Sequence, residues 1–325
     1  MGTMRVAFAG TFAASLEARV RSRLSVPCDV VVADEAAIVS KLAEVDVLVT
    51  LAFTPAMGAA GGRLKLVQVP GAGLDRIDRT AVPPGTWLAN AYGHEVGIAE
   101  YVMGVMLAWT RDLGRLDAAL HQGTWLSQWA VGVPPPPTWP ELAGKTLGIL
   151  GYGRIGAKLA RRARAFDMNV LAVRRQLTER DELVELLGPE SLGTVLARAD
   201  YVAVTLSLSP ETRGLLGARE LALMKPTALL INVARAEIVD EDALYDALAK
   251  RTIAGAALDV WYRYPAAAGV TLPGRRPFHE LPNVIMTPHV SGWTEGMLEA
   301  RAALIADNIA RAWRGEPPVN LVARS

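Results

Sequence analysis

The amino-acid sequence predicts an α/β protein of two doubly wound domains, one inserted into the other. Three observations predict it. Short strand-like runs alternate with amphipathic helical stretches along almost the whole chain, the pattern of parallel α/β layers. A proline-rich break, GVPPPPTWPELAG (132–144), interrupts that alternation before it restarts. A last helical stretch, at about 294–314, returns the chain to the first domain once the second is complete.

The first run of strands is MRVAFAG (4–10), DVVVA (29–33), DVLVT (46–50), KLVQV (65–69) and WLANA (87–91). EVGIAEYVMGVMLAWTRD (95–112) then reads as one long apolar helix. The four successive prolines Pro134 to Pro137 forbid regular helix and favour extended polyproline conformation. After them come TLGIL (146–150), NVLAV (169–173), YVAVTL (201–206), ALLIN (228–232), IAGAALDV (253–260) and NVIMT (283–287). The expected division is 1–95 with 293–325 for one domain and 96–292 for the other, with a cleft between them.

Composition narrows the classes of function. The 325 residues suffice for two domains, and 51% apolar with 21% charged residues is a globular balance. Mean hydropathy is only +0.22, and no apolar run approaches the roughly 20 residues that cross a membrane. Glu17 and Arg19 follow the initial apolar stretch so closely that a first strand and helix is expected there, not a signal peptide. Cys28 is the only cysteine, which excludes an intramolecular disulfide and argues against a cysteine metal site; no metal site is expected, and a reducing cytoplasm fits. A net charge of +1 argues against a nucleic-acid or acidic-membrane partner held by bulk electrostatics. The 28 arginines against six lysines are attributed to coding bias in a GC-rich genome. Only four histidines exist: His94, His121, His279 and His289.

TLGIL runs directly into GYGRIG, with Gly151, Gly153 and Gly156, and then into the helix AKLARRARAF and the strand NVLAV. In that context the glycines form a dinucleotide-binding turn. Gly151 permits the turn, Gly153 lets backbone approach a pyrophosphate, and Gly156 allows helix to pack on strand. The helix N-terminus offers unpaired N–H groups to the phosphates. The second strand would normally end in an acid that binds the ribose 2′-hydroxyl; here it ends in Arg174 and Arg175. A cation pairs instead with a 2′-phosphate, so NADP is favoured over NAD.

Five segments in order resemble the D-isomer-specific 2-hydroxyacid dehydrogenases, over nearly the whole length: KLVQVPGAGLDRID (65–78), ELAGKTLGILGYGRIG (141–156), SPETRGLL (209–216), INVARAEIVDEDAL (231–244) and TPHVSGWT (287–294). The resemblance implies a Rossmann cofactor domain inserted into a flavodoxin-like substrate domain, and hydride transfer between NADP(H) or NAD(H) and a small 2-keto or 2-hydroxy acid. It implies that Arg235 grips the keto-acid carboxylate and polarises the carbonyl, the guanidinium fork matching a planar carboxylate. His289 would give and take the proton. The turn at Ala72, Gly73 and Leu74 would hold the carboxylate through backbone N–H groups, with His94 and Glu95 as substrate contacts. Cofactor contacts are implied at Arg154 and Ile155 in the glycine turn, at Ser207, and at Val233 and Ala234. Asp259, His289 and Gly292 complete that expectation, Asp259 near the nicotinamide carboxamide. Related enzymes are usually dimers, so a homodimer is expected, with Trp125, Trp129 and Trp139 lining a domain or subunit contact. His121 and His279 are read as structural or solvent-exposed.

One position departs from the resemblance. In ALDVWYRYP (257–265) the family's glutamate, which pairs with the histidine and keeps it protonated, is replaced by Tyr264. Three readings follow. A working dehydrogenase orients His289 with Tyr264 or borrows an acid such as Glu95. A phosphonate- or phosphate-bearing substrate supplies the missing charge, bound by Arg235, Arg263, Arg275 and Arg276. Or catalysis is lost and the chain is a nicotinamide-binding sensor. The first is preferred, because Arg235 and His289 are both present. With no carboxylate behind His289, reduction is expected to peak at more acidic pH than in relatives that have one.

Overall fold

A computed structural model describes residues 2–177 and 181–324. The chain divides into two compact units, Met1–His94 with Trp293–Ser325, and Glu95–Gly292.

The first unit begins with β1 (Met4–Ala9), α1 (Thr11–Arg21), β2 (Cys28–Ala33), β3 (Val47–Thr50), α2 (Pro55–Ala60), β4 (Leu66–Gln68) and β5 (Trp87–Ala89). The second unit opens with α3 (Glu95–Thr110) and α4 (Leu113–His121). It continues through β6 (Thr146–Leu150), α5 (Arg154–Arg164), β7 (Asn169–Val173), β8 (Glu185–Leu187), α6 (Leu192–Arg198) and β9 (Tyr201–Val204). Then follow α7 (Ala218–Ala222), β10 (Leu229–Asn232), α8 (Glu241–Ala249), β11 (Gly255–Leu258) and β12 (Val284–Met286). The chain ends in the first unit with α9 (Glu295–Arg314) and β13 (Leu321–Arg324).

The first unit's sheet has the order β13-β5-β4-β3-β1-β2, parallel except where β13 runs antiparallel to β5. The second has the order β12-β11-β10-β9-β6-β7-β8 and is parallel throughout. Chain order reverses at β6, so the carboxyl ends of β6 and β9 open the crevice where doubly wound sheets take a ligand.

Both faces of each sheet are covered, which is why the strands read as continuous apolar runs and not as alternating ones. In the second unit Leu147, Ile149, Ala203 and Ile231 face one buried cluster, while Val202, Val204, Leu230 and Leu258 face the other. The first unit repeats the arrangement, Val6, Val47 and Leu66 on one side, Ala7, Leu48 and Val67 on the other.

The long helix expected over 95–112 is α3, and a second helix that was not anticipated, α4, follows it. Asp112, between the two, takes left-handed backbone (φ 51°) and bonds Arg115 of α4 through its carboxylate. Nothing in α4 is buried. Two strands were not anticipated: β8 is only three residues long, and β13 lies in what reads as a short tail. The proline run carries no regular structure, as polyproline requires.

Candidate active site

The reactive groups of the second unit are built on the carboxyl edge of its sheet, beginning with the glycine turn after β6. Gly151 has φ +103°, and a Cβ there would lie 2.8 Å from the Leu206 amide nitrogen. At Gly156 a Cβ would lie 2.9 Å from the Gly151 carbonyl, so α5 sits against the turn only because that side chain is absent. Gly153 differs: a Cβ there meets no protein atom within 4 Å. Its smallness serves no packing contact and leaves open the approach to the α5 N-terminus, the geometry a pyrophosphate needs. Arg154 and Ile155 form the first turn of α5. The residues therefore fit a dinucleotide.

Beside the turn, Tyr152 is buried and donates its hydroxyl proton to the Asp181 carboxylate. Burial and that carboxylate push its phenol far above the ordinary value, with Arg174 opposing. Arg174 is half-buried at the end of β7 and Arg175 is exposed, so the edge that would carry a ribose-binding acid carries cations. Ser207 is exposed after β9, and its carbonyl accepts the Thr212 hydroxyl at 2.8 Å.

The next three strands bring the remaining groups together. After β10, Val233 and Ala234 are buried and Arg235 is half-buried. The Asn232 side chain clamps this exit: its Oδ1 accepts the Ala234 N–H at 3.1 Å and its Nδ2 donates to the Arg235 carbonyl at 3.0 Å. After β11, Asp259 is fully buried and its amide donates to the Asn232 carbonyl at 3.1 Å. Its carboxylate accepts three donors, the Thr287 hydroxyl at 2.6 Å, the Val290 N–H at 2.9 Å and the Ser291 N–H at 2.8 Å. These lie on the turn after β12 that carries His289 in left-handed backbone (φ 60°). The turn is braced again by the Tyr101 hydroxyl of α3, 2.7 Å from Thr287 Oγ1, and by Trp261 Nε1, which donates to the Thr287 carbonyl at 2.8 Å. Gly292 closes the turn, and the exposed ring of His289 projects from it.

Tyr264 meets that ring. Its hydroxyl lies 2.7 Å from His289 Nδ1 and accepts the Trp261 N–H at 3.4 Å. Burial raises the Tyr264 phenol above its ordinary value; Arg235 opposes, while Asp259 and Glu237 add to the rise. The group beside His289 is thus uncharged. Of the nearby cations, Arg275 and Arg276 are held by Glu241, Asp242 and Asp246, which removes them from the charge offered to a dianionic substrate.

In the first unit, the turn after β4 exposes amides of interest. Among the described residues no group accepts a hydrogen bond from the N–H of Ala72, Gly73 or Leu74, while Asn90 Nδ2 secures the Ala72 carbonyl at 3.0 Å. His94 ends the first span of this unit, its Nδ1 3.0 Å from Nη2 of Arg301. Arg301 was missed from the sequence, although the signal was there: it falls between Met297 and Ile305, at four-residue spacing on the buried face of α9. Glu95 opens α3, where an acid favours the helix dipole. His121 and His279 are exposed. Among the described residues no metal-holding cluster occurs, and no helix is long and apolar enough to cross a membrane.

A parallel doubly wound sheet with a glycine turn at its switch point, and an arginine and a histidine after the two strands that flank β11, defines a dinucleotide-binding oxidoreductase. Comparison with known proteins makes the class specific. Residues 103–291 match the model of the D-isomer specific 2-hydroxyacid dehydrogenase NAD binding domain. The chain is 34% identical to a D-3-phosphoglycerate dehydrogenase of Methanocaldococcus jannaschii over 88% of its own length and 53% of that protein. It is 33% identical to a glyoxylate reductase of Korarchaeum cryptofilum over 88% of its length and 85% of that protein. An NADPH-dependent glyoxylate/hydroxypyruvate reductase of Sinorhizobium meliloti, solved with NADP and sulfate, superposes with a TM-score of 0.79 at 25% identity, covering 99% of each chain. The chain belongs to the D-isomer specific 2-hydroxyacid dehydrogenase family. It is an oxidoreductase that moves hydride between a nicotinamide dinucleotide and a 2-keto or 2-hydroxy acid.

Proposed function

We propose that the chain reduces the carbonyl of a small 2-keto acid with NADPH, using Arg235 and His289, with Tyr264 in the place of the usual acid. The observation that carries this reading is the arrangement at the sheet edge. Arg235, Asp259 and the His289 turn leave the adjacent strands β10, β11 and β12 at the same end as the glycine turn. When bound at Gly151, Gly153 and the α5 N-terminus, the cofactor supplies the hydride. Arg235 pairs with the substrate carboxylate and draws electron density from the carbonyl oxygen. His289 delivers a proton to that oxygen, its ring set by the Tyr264 hydroxyl. The amides of Ala72, Gly73 and Leu74 in the first unit offer N–H donors suited to a carboxylate. Arg174 and Arg175 favour the 2′-phosphate of NADP, as does the absence of an acid at the end of β7.

Two further points belong to this reading. A homodimer is supported by α4, which buries none of its residues, and by Trp125 and Trp129, 59% and 76% exposed. A cytoplasmic setting is supported by the single free Cys28. The test is consumption of NADPH, and separately NADH, with glyoxylate, hydroxypyruvate, pyruvate, an aryl keto acid and phosphonopyruvate. Turnover that disappears in His289→Ala is the expected result; tight NADPH binding without turnover on any of them would leave a cofactor-binding sensor.

A further inference from the structure

Strand β8 is three residues long and closes one edge of the second unit's sheet, with β7 as its one neighbour. So short an edge opens easily when only its own ladder holds it. Yet its Leu187 carbonyl accepts the Arg174 N–H at 2.9 Å, so β8 fixes the backbone of the cation that ends β7.

The glycine turn supplies what else holds this edge. The Tyr152 N–H donates to the Val173 carbonyl at 3.1 Å, one residue before Arg174. Its hydroxyl donates to Asp181 Oδ2 at 2.5 Å. Asp181 makes the turn into β8: its Oδ1 accepts the Leu183 N–H at 2.9 Å, and its carbonyl accepts the Val184 N–H at 3.1 Å. Val184 is buried in the same apolar cluster as the Tyr152 ring. That ring lies against α5, where a Cβ on Gly156 would stand 3.3 Å from its Cδ2. One side chain thus joins the glycine turn to both strands that frame Arg174, and all of these groups belong to the second unit. Burial and the Asp181 carboxylate push the phenol far above its ordinary value, so Tyr152 keeps its proton and remains the donor.

We propose that Tyr152 is a positioning residue that, through Asp181, fixes β8 and with it Arg174, and so sets the preference for a 2′-phosphate on the adenosine half of the dinucleotide. The 2′-phosphate rests on the function proposed above; the strap from Tyr152 to β8 does not. A guanidinium carries five N–H donors and can serve more than one anion. The bond and the charge of Asp181 work in opposite senses. The bond holds the cation in place, while the carboxylate weakens its pull on a phosphate.

The experiment is calorimetric titration of the full chain with adenosine 2′,5′-bisphosphate and with adenosine 5′-monophosphate, joined to amide hydrogen exchange at Arg174 by NMR. The unaltered protein should bind the bisphosphate roughly tenfold or more tightly than the monophosphate. Tyr152→Phe keeps the ring and removes the bond. It should lose roughly tenfold in affinity for the bisphosphate, stay within about twofold for the monophosphate, and exchange the Arg174 amide roughly tenfold faster. Asp181→Ala should match it, and the double variant should be no worse than either single one. Asp181→Asn can still bond the phenol and lacks the charge, so it should keep the bisphosphate affinity or raise it. Unchanged bisphosphate affinity in Tyr152→Phe, or unchanged exchange at Arg174, would overturn the proposal. Equal losses for the two probes would overturn it as well, because Tyr152 would then serve the shared adenosine. Should the unaltered protein bind both probes alike, the NADP reading fails, while exchange at Arg174 still decides the strap.

Discussion

The Tyr264 hydroxyl lies 2.7 Å from Nδ1 of His289, so the group that meets this ring is a neutral phenol and not a carboxylate. A carboxylate only accepts, and it stabilises the imidazolium by charge. A phenol both donates and accepts, and it can follow either protonation state of the ring without favouring the cation. Tyr264→Phe should therefore lower kcat roughly tenfold through loss of orientation, with little change in the pH at which activity falls. Tyr264→Glu should carry reductive activity about one pH unit further into the basic range, because an added anion raises the imidazole. The pH–rate profiles of the three proteins decide it; coincident basic limbs in the unaltered protein and Tyr264→Glu would show that charge at this position is irrelevant.

Asp259 holds the His289 turn by accepting from Thr287, Val290 and Ser291. Asp259→Ala leaves those donors facing a buried space, at about 1–3 kcal/mol for each buried N–H left unpaired. A cost of about 3 kcal/mol overall lowers Tm by several degrees. Activity should fall further than stability alone explains, since the left-handed His289 backbone loses its brace. Tyr101→Phe removes only the outer contact to Thr287 and should cost about 1 kcal/mol. Calorimetry and turnover on both variants test the order; equal effects would place the brace elsewhere.

How far the sequence foretold this site depended on the kind of contact involved. Strands buried on both faces announce themselves as apolar runs, so β6, β9 and β10 were readable within a residue or two. The glycine turn was readable because each glycine answers a separate steric demand. Long-range hydrogen bonds leave no local period. The Asp259 carboxylate reaching Val290 and Ser291, 31 and 32 residues on, is a product of β11 and β12 lying side by side. Arg301 joins Tyr92 and His94 across more than 200 residues. Helix α4 was hidden for a different reason: it buries none of its residues, so no inward apolar face marked it beyond the left-handed Asp112. The three-residue β8 and the four-residue β13 are too short for periodicity to reveal.

Arg174 ends β7 where a ribose-binding acid would otherwise stand. Its guanidinium suits a 2′-phosphate, and a charge-assisted contact of that kind contributes about 1.5–3 kcal/mol. Arg174→Gln should raise KM for NADPH by roughly tenfold or more while leaving NADH within about twofold. Parallel titrations with both cofactors measure this directly. Equal losses for the two would mean that Arg174 touches the shared part of the dinucleotide, and that the preference lies with Arg175.

Alkaline pH should loosen the second unit through its partly or fully desolvated phenols. Burial raises Tyr101, Tyr152, Tyr201, Tyr262 and Tyr264 above the ordinary value, Tyr262 most strongly, with the carboxylates of Glu241, Asp240 and Glu237 adding to its rise. A phenol whose folded value is raised keeps its proton in the folded chain after the unfolded chain has begun to lose it at about pH 10. Its contribution to stability is therefore whole below about pH 10 and is lost as pH climbs from there toward the folded value. Tyr262→Phe removes the most affected group. It also removes the bond from the hydroxyl to the Val239 carbonyl at 2.9 Å, which costs about 1 kcal/mol at neutral pH. The variant should accordingly melt a few degrees lower at pH 7, yet lose less Tm between about pH 10 and 11 than the unaltered protein. Lysines titrate in the same window in both proteins, so the difference between the two curves isolates the phenol. Parallel curves would show that Tyr262 ionises as freely in the folded chain as in the unfolded one.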